Sequence, residues 1–240
     1  MIDFYCIHKE GDEETQEPLN DAIQSGKQFG INVIPYPGIY SNISYHLEKN
    51  SLFVNPNGAH KVTRRGNGVL GCFFSHYYLW EKSIEQNIPV GVLEYDAIFI
   101  KPLPDNILTN FDDYLHLDHT RHTHLSAQSN GDPYLKQIEL ERNNPQHVCA
   151  LTENAKAKNK NLFKYINNNH VRGAFGYIIK PAGAKKLVDA TAKYGILPAD
   201  VQPNLSYCDI KYITPSAVML NPKGLESRFG GSHTNHDRTS

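Results

Sequence analysis

No apolar run in this sequence approaches the roughly 20 residues that a membrane-spanning helix needs, which argues against an integral helical membrane protein. There is no Cys-x-x-Cys pair either. The 4 cysteines, Cys6, Cys72, Cys149 and Cys208, stand singly among apolar or aromatic neighbours. That spacing argues against a finger-type zinc site and predicts buried free thiols in a reducing compartment. Charge of one sign is missing too: 24 basic against 25 acidic side chains leave a net charge of −1. Such a chain has no overall field to draw a polyanion, although one local basic face would be enough to hold a nucleic acid. The first residues, Met1 to His8, lack a basic stretch followed by an apolar one, so no secretion signal is expected and the predicted location is cytoplasmic. The sequons Asn42-Ile-Ser44 and Asn204-Leu-Ser206 therefore carry little weight. No internal repeat and no linker stands out.

What is present is an ordinary globular composition, 40% hydrophobic and 20% charged over 240 residues, enough chain for a core without disulfides. Residues 2–8 alternate and read as a strand. Pro18 to Phe29 reads as an amphipathic helix stopped by Gly30, and Ile31 to Ile34 as a second strand ended by Pro35. This β-α-β opening favours a parallel sheet. Residues 37–66 read as irregular. A long helix is predicted from about Val69 to Gln86, with Leu70, Phe73, Phe74, Tyr77, Leu79, Trp80 and Ile84 as its buried stripe. The short apolar run Pro89 to Leu93 predicts a buried strand, and Tyr114 to Leu117 another. Residues 119–170 are the least periodic, with Asn154 to Asn161 read as a solvated loop or frayed helix. Gly173 to Lys180 reads as a glycine-bearing strand, and Pro181 to Tyr194 as a helix stopped by Gly195. The whole is expected to be one domain, 1–240, with halves at 1–118 and 119–230 and a mobile polar tail at 231–240.

The chemistry-bearing residues begin with Glu94-Tyr95-Asp96, at the end of the buried strand. Two acids one residue apart at a strand's carboxyl end lie where open α/β sheets bind ligands, and carboxylates suit Mg²⁺ or Mn²⁺. A pair of solvated acids is an equally good reading of that pattern alone. Gly68, Gly71, Ser75 and His76 open the long helix, where backbone N–H groups can approach an anion or, alternatively, where glycine permits tight packing and Ser75 and His76 serve as core polar groups. Arg64 and Arg65, with Asn67 just after them, can pair with a diphosphate or form a solvated basic loop. His116, His119, His122 and His124 do not match a standard zinc spacing. Asp200, in Pro198-Ala199-Asp200, is either a surface acid or a general base.

The order of these pieces resembles glycosyltransferase family 25, which includes lipooligosaccharide sugar transferases. That family's G-x-x-G-C-x-x-S-H-x-x-x-W segment reads here Gly68-Val-Leu-Gly71-Cys72-Phe-Phe-Ser75-His76-Tyr-Tyr-Leu-Trp80. Its L-E-D-D strand end reads Leu93-Glu94-Tyr95-Asp96. Its later aromatic strand, G-A-K-K-L helix and P-x-D read Gly176-Tyr177, Gly183-Ala184-Lys-Lys-Leu187 and Pro198-Ala199-Asp200. Two departures stand out: Tyr95 replaces the middle acid, and His8-Lys9-Glu10-Gly11 replaces the family's Arg-rich segment after the first strand.

The resemblance implies an α/β chain with a GT-A-like, Rossmann-like domain, a mostly parallel mixed sheet flanked by helices. It implies an inverting hexosyl- or pentosyltransferase that uses a nucleotide-sugar donor, UDP-linked, and a glycan acceptor such as lipooligosaccharide. Asp96 and Glu94 would hold Mn²⁺ or Mg²⁺, with His233 or His236 closing over the diphosphate as a further ligand. Asp200 would be the base. His8 and Lys9 would lie near the nucleotide, and Arg172 near the diphosphate or acceptor; Arg64, Arg65, Asn67, Gly71, Ser75, His76, Glu94 and Tyr95 complete the donor-binding set.

Two other readings stay open. A phage-type enzyme acting in an infected host could glycosylate a modified base in DNA, using Lys156, Lys158, Lys160 and Lys164 as a basic face. A non-catalytic nucleotide-sugar-binding protein on a degenerate transferase scaffold would account for Tyr95.

Overall fold

The computed structural model of the chain describes residues 2–56, 67–118, 143–151 and 173–221. The chain opens with β1 (Asp3–His8), α1 (Glu13–Gln28) and β2 (Asn32–Pro37), then a short α2 (Ile43–Lys49). The long helix α3 (Asn67–Gln86) leads into β3 (Val90–Glu94) and β4 (Ala97–Phe99). After a 3₁₀ turn (Ile107–Thr109) come β5 (Tyr114–His116), β6 (His147–Ala150), β7 (Gly176–Ile179), α4 (Pro181–Tyr194), β8 (Ile210–Thr214) and β9 (Val218–Leu220).

Seven strands form one mixed sheet in the order β2-β1-β3-β7-β5-β8-β6, and β4 pairs with β9 in a separate ribbon. The β1-α1-β2 opening is parallel as the sequence predicts, and β3 adds to the other side of β1 in parallel, with Ile7 opposite Glu94. β7 then enters antiparallel between β3 and β5. The sheet is thus the expected mixed one, with helices on it, but β7 and β6 run against the rest.

Alternation along each strand sorts side chains into two cores. Phe4, Cys6, Leu93, Leu115 and Ile178 face one core, closed by α1 and the β4–β9 ribbon. Val90, Val92, Tyr114, Tyr177 and Ile179 face the other, closed by α3 and α4, which also pack on each other. The predicted stripe of α3 is buried as expected, Phe73, Phe74 and Leu79 completely so.

Of the differences from the sequence expectation, three have a local reason. α1 starts at Glu13 rather than Pro18, because Asp12 caps it: its carboxylate accepts the Glu14 N–H at 3.0 Å, and Glu13 and Glu14 complement the helix dipole in the first turn. Pro18 is carried inside the helix. β2 runs on through Pro35 to Pro37. It is an edge strand, and prolines two apart turn their N–H-less nitrogens to the same, unpaired side. α2 lies in the stretch predicted to be irregular; Asn42 enters it in the left-handed conformation with no side-chain cap, so no start signal marks it. Among the described residues no helix is long and apolar enough to cross a membrane.

Candidate active site at the carboxyl edge of the sheet

β1, β2 and β3 run parallel, so His8, Pro37 and Glu94 finish at one edge. β7 is antiparallel, so it starts there: Glu94 N–H donates to the Phe175 carbonyl at 3.0 Å, and Tyr95 N–H to the Ile7 carbonyl at 3.0 Å. These two bonds fix the backbone of the acidic segment between the end of β1 and the start of β7.

Helix α3 runs under this edge. Cys72, His76 and Trp80 are spaced four apart and so lie on one face. The His76 ring is 1% exposed and stacks on Tyr177 of β7, with centroids 5.7 Å apart. The Tyr177 hydroxyl lies 2.9 Å from His76 Nδ1 and accepts the Trp80 indole N–H at 2.9 Å. Burial pushes the Tyr177 phenol well above its ordinary value, so it stays protonated at neutral pH. His76 Nε2 points to the Glu94 carboxylate, 3.4 Å from Oε1, but makes no hydrogen bond. The Cys72 thiol reaches the same Oε1 at 3.8 Å. Burial raises the Cys72 thiol well above its ordinary value, and the charges of Glu94 and Asp200 raise it further.

The charge of Asp200 thus reaches Cys72. Asp200 follows α4, and the segment before it is pinned to residues 53–55: Ile196 N–H donates to the Phe53 carbonyl at 2.7 Å, and Asn55 N–H to the Ile196 carbonyl at 3.0 Å. Val201 and Gln202 N–H groups close a turn on the Pro198 carbonyl. Tyr40, from the loop after β2, joins the group. Nearly half of its surface, 46%, remains exposed, yet burial of the rest, and then the neighbouring Tyr95, Cys72, Glu94 and Asp12, push its phenol up.

The other predicted residues are positioned as follows. Asp96 is 3% exposed, one turn beyond Glu94, and its carbonyl accepts the Asn221 N–H. Tyr95 is half-buried against the α1-side core. His8 ends β1, while the Lys9 ammonium pairs with Asp12 at 2.8 Å, at the cap of α1. Asn67 opens α3 and is exposed. Gly71 and Ser75 hold the loop after β2: the Ser75 hydroxyl donates to the Gly71 carbonyl and accepts the Ile39 N–H, both at 2.8 Å. Arg64, Arg65, Arg172, His233 and His236 lie outside the described residues, as do His119, His122, His124 and the lysines of the basic-face reading. His116 faces the Gly173 carbonyl through Nε2 at 2.7 Å, and its Nδ1 accepts the Asp118 N–H at 3.1 Å.

Reading the sequence alone misses Cys72, Tyr177 and Tyr40 as members of this edge. The four-residue spacing of Cys72, His76 and Trp80 was available as a signal. Tyr177 was not, because it meets His76 across 101 residues of chain. Among the described residues, Cys72, His76 and Glu94 form the group of metal-ligating side chains close enough to share one ion.

A family model described as Glycosyltransferase family 25 (LPS biosynthesis protein) matches residues 17–202. Among solved structures, the crystal structure of mouse xyloside xylosyltransferase 1, apo form, aligns with 10% identity and a TM-score of 0.35, over 83% of this chain and 78% of that one. No curated protein matches the chain in sequence.

Proposed function

The chain belongs to glycosyltransferase family 25, and on that premise we propose that it is an inverting, metal-dependent enzyme moving a sugar from a UDP-linked donor to a glycan hydroxyl, such as one of lipooligosaccharide. The observation that carries this reading is the convergence of Glu94 at the end of β3 with Cys72, whose thiol also feels the charge of Asp200. Glu94 ends its strand at the edge where an α/β sheet takes its ligand.

In this reading Asp200 is the general base. It takes the proton of the acceptor hydroxyl as that oxygen attacks the anomeric carbon, while the bond to the diphosphate breaks on the opposite face. His8 and Lys9 lie toward the nucleotide. The family implies a hard divalent cation, and the donor chemistry fits one. Asp96 and Glu94 offer oxygen ligands one residue apart, and Mn²⁺ or Mg²⁺ is commonly held by one or two carboxylates together with water and phosphate oxygens. Such an ion would offset the charge growing on the leaving diphosphate. The protein's own part is to hold Glu94: backbone bonds to Phe175 fix its N–H, and His76 and Cys72 line one side of its carboxylate.

The test is a thermal-shift screen of sugar nucleotides with and without Mn²⁺, followed by donor hydrolysis and transfer assays. A donor that binds the folded chain must raise its melting temperature. Metal-stimulated turnover that disappears in Asp96→Ala is the expected result. A donor that binds but is neither hydrolysed nor transferred would instead identify a binding protein on a transferase scaffold. Unchanged metal stimulation in Asp96→Ala would overturn the cation assignment.

A further inference from the structure

The Cys72, His76 and Glu94 side chains have a ligand set unlike that of a phosphate-bridging cation. A thiol and an imidazole are soft or borderline donors, which suit zinc and not magnesium or manganese. Their geometry can be compared with a tetrahedron. With zinc bond lengths of about 2.3 Å to sulfur and about 2.1 Å to nitrogen and oxygen, the N···O edge comes to about 3.4 Å and the S···O edge to about 3.6 Å. Here Nε2 of His76 stands 3.4 Å from Oε1 of Glu94, and Sγ of Cys72 stands 3.8 Å from the same oxygen. All three ligand atoms lie within 4.8 Å of one another.

A second observation comes from the imidazole itself. His76 is 1% exposed, yet its Nε2 makes no hydrogen bond and aims into this cluster. Its Nδ1 is held by the Tyr177 hydroxyl, which is fixed in turn by Trp80. That is the arrangement that orients a metal-bound histidine, with one nitrogen on a supporting partner and the other toward the ion. The Tyr177 oxygen has two lone pairs, so it can accept from both Trp80 and a protonated Nδ1, leaving the Nε2 lone pair for a ligand bond.

We propose that Cys72 Sγ, His76 Nε2 and Glu94 Oε1 form a preorganised three-ligand site for a zinc ion. The Glu94 side chain is 26% exposed, so water reaches the fourth position. Occupation would hold Glu94 on the α3 side of the edge. The site depends on these three side chains alone, and it stands or falls whether or not the chain transfers sugar.

The experiment uses the whole chain under reducing conditions, with no sugar donor, and titrates Co²⁺ as the spectroscopic stand-in for zinc. The expected result is a thiolate-to-cobalt charge-transfer band that saturates at one equivalent, is displaced by Zn²⁺ but not by Mg²⁺, and is lost in Cys72→Ser. Glu94→Gln should weaken binding at least tenfold. Absence of the band overturns the proposal, and so does a band that persists in Cys72→Ser, which would place the metal on another cysteine. If Cys72→Ser fails to fold, X-ray absorption on the zinc-loaded native chain decides the matter. One sulfur at about 2.3 Å supports the site, and an all-oxygen-and-nitrogen shell overturns it.

Discussion

Gly71 and Ile39 meet backbone to backbone: a Cβ on Gly71 would stand 2.2 Å from the Ile39 carbonyl oxygen. Helix α3 can approach the loop after β2 only because this position has no side chain. Four residues on, Ser75 accepts the Ile39 N–H, so the same loop is held from two sides. Gly71→Ala should therefore push the loop away and destabilise the fold by about 1–3 kcal/mol. Urea unfolding of the two proteins measures this. A change within about 0.5 kcal/mol would mean that the loop gives way freely.

Tyr177→Phe removes the acceptor of the Trp80 N–H and the partner of His76 Nδ1 in one step. Each buried polar group so orphaned costs about 1–3 kcal/mol. If His76 helps set the position of Glu94, kcat for sugar transfer should fall with little change in donor KM. Trp80→Phe is the comparison: it spares the Tyr177–His76 contact, so it should lose stability but keep more of its kcat. Equal kcat losses would mean that stability alone explains both.

Asp200→Asn keeps the shape of the side chain and removes the base. Transfer should fall by about 10²–10⁴ while donor affinity is spared. Isothermal titration with the donor and a transfer assay separate the two. Parallel loss of binding and turnover would move Asp200 from base to donor ligand.

Gly183 lies on the backbone of Asp113, where a Cβ would come within 2.4 Å of the carbonyl oxygen. One turn along α4, Lys186 donates to the Asp113 carboxylate, which also accepts the Asp209 N–H at 2.7 Å. The Gly-Ala-Lys-Lys-Leu run thus docks α4 on the start of β5. Gly183→Ala should cost about 1–3 kcal/mol of stability, read by denaturant unfolding, by forcing the helix off that seat.

Alkaline pH should destabilise the chain. Burial, and then the charge of Glu94, push the Cys6 thiol from 9.0 up to about 12, and Cys72 and Cys208 move the same way. A thiol whose folded value is raised stays protonated in the folded chain after it has ionised in the unfolded one. Its contribution is therefore complete below about pH 9 and declines as pH rises toward about 12, by at most about 1.4 kcal/mol per pH unit for each thiol. Unfolding midpoints measured across that range should fall, and Cys6→Ala should make the fall shallower.

Much of this architecture can be read from local sequence. The end of β3 at Glu94, the buried face of α3, and α4 between Pro181 and Gly195 all follow from periodicity and punctuation within a few residues. The antiparallel entry of β7 does not, because strand neighbours are chosen by packing across the whole chain. The start of α1 was hidden by Pro18, which imitates a first-turn proline while Asp12 supplies the actual cap. In the candidate site, Glu94 and Asp200 were visible as acids at element ends. The Trp80–Tyr177–His76 chain was not, since nothing near Tyr177 in sequence indicates which side chain its hydroxyl will meet.

His116 bridges two points of the chain: its Nδ1 accepts the Asp118 N–H at 3.1 Å, and its Nε2 lies 2.7 Å from the Gly173 carbonyl. These are the points where the chain leaves β5 and where it returns toward β7. One imidazole therefore joins the exit of β5 to the approach to β7, just past the end of their pairing at His116 and Tyr177. The backbone ladder of β5 and β7 keeps the register, and His116 holds together the chain on either side of it.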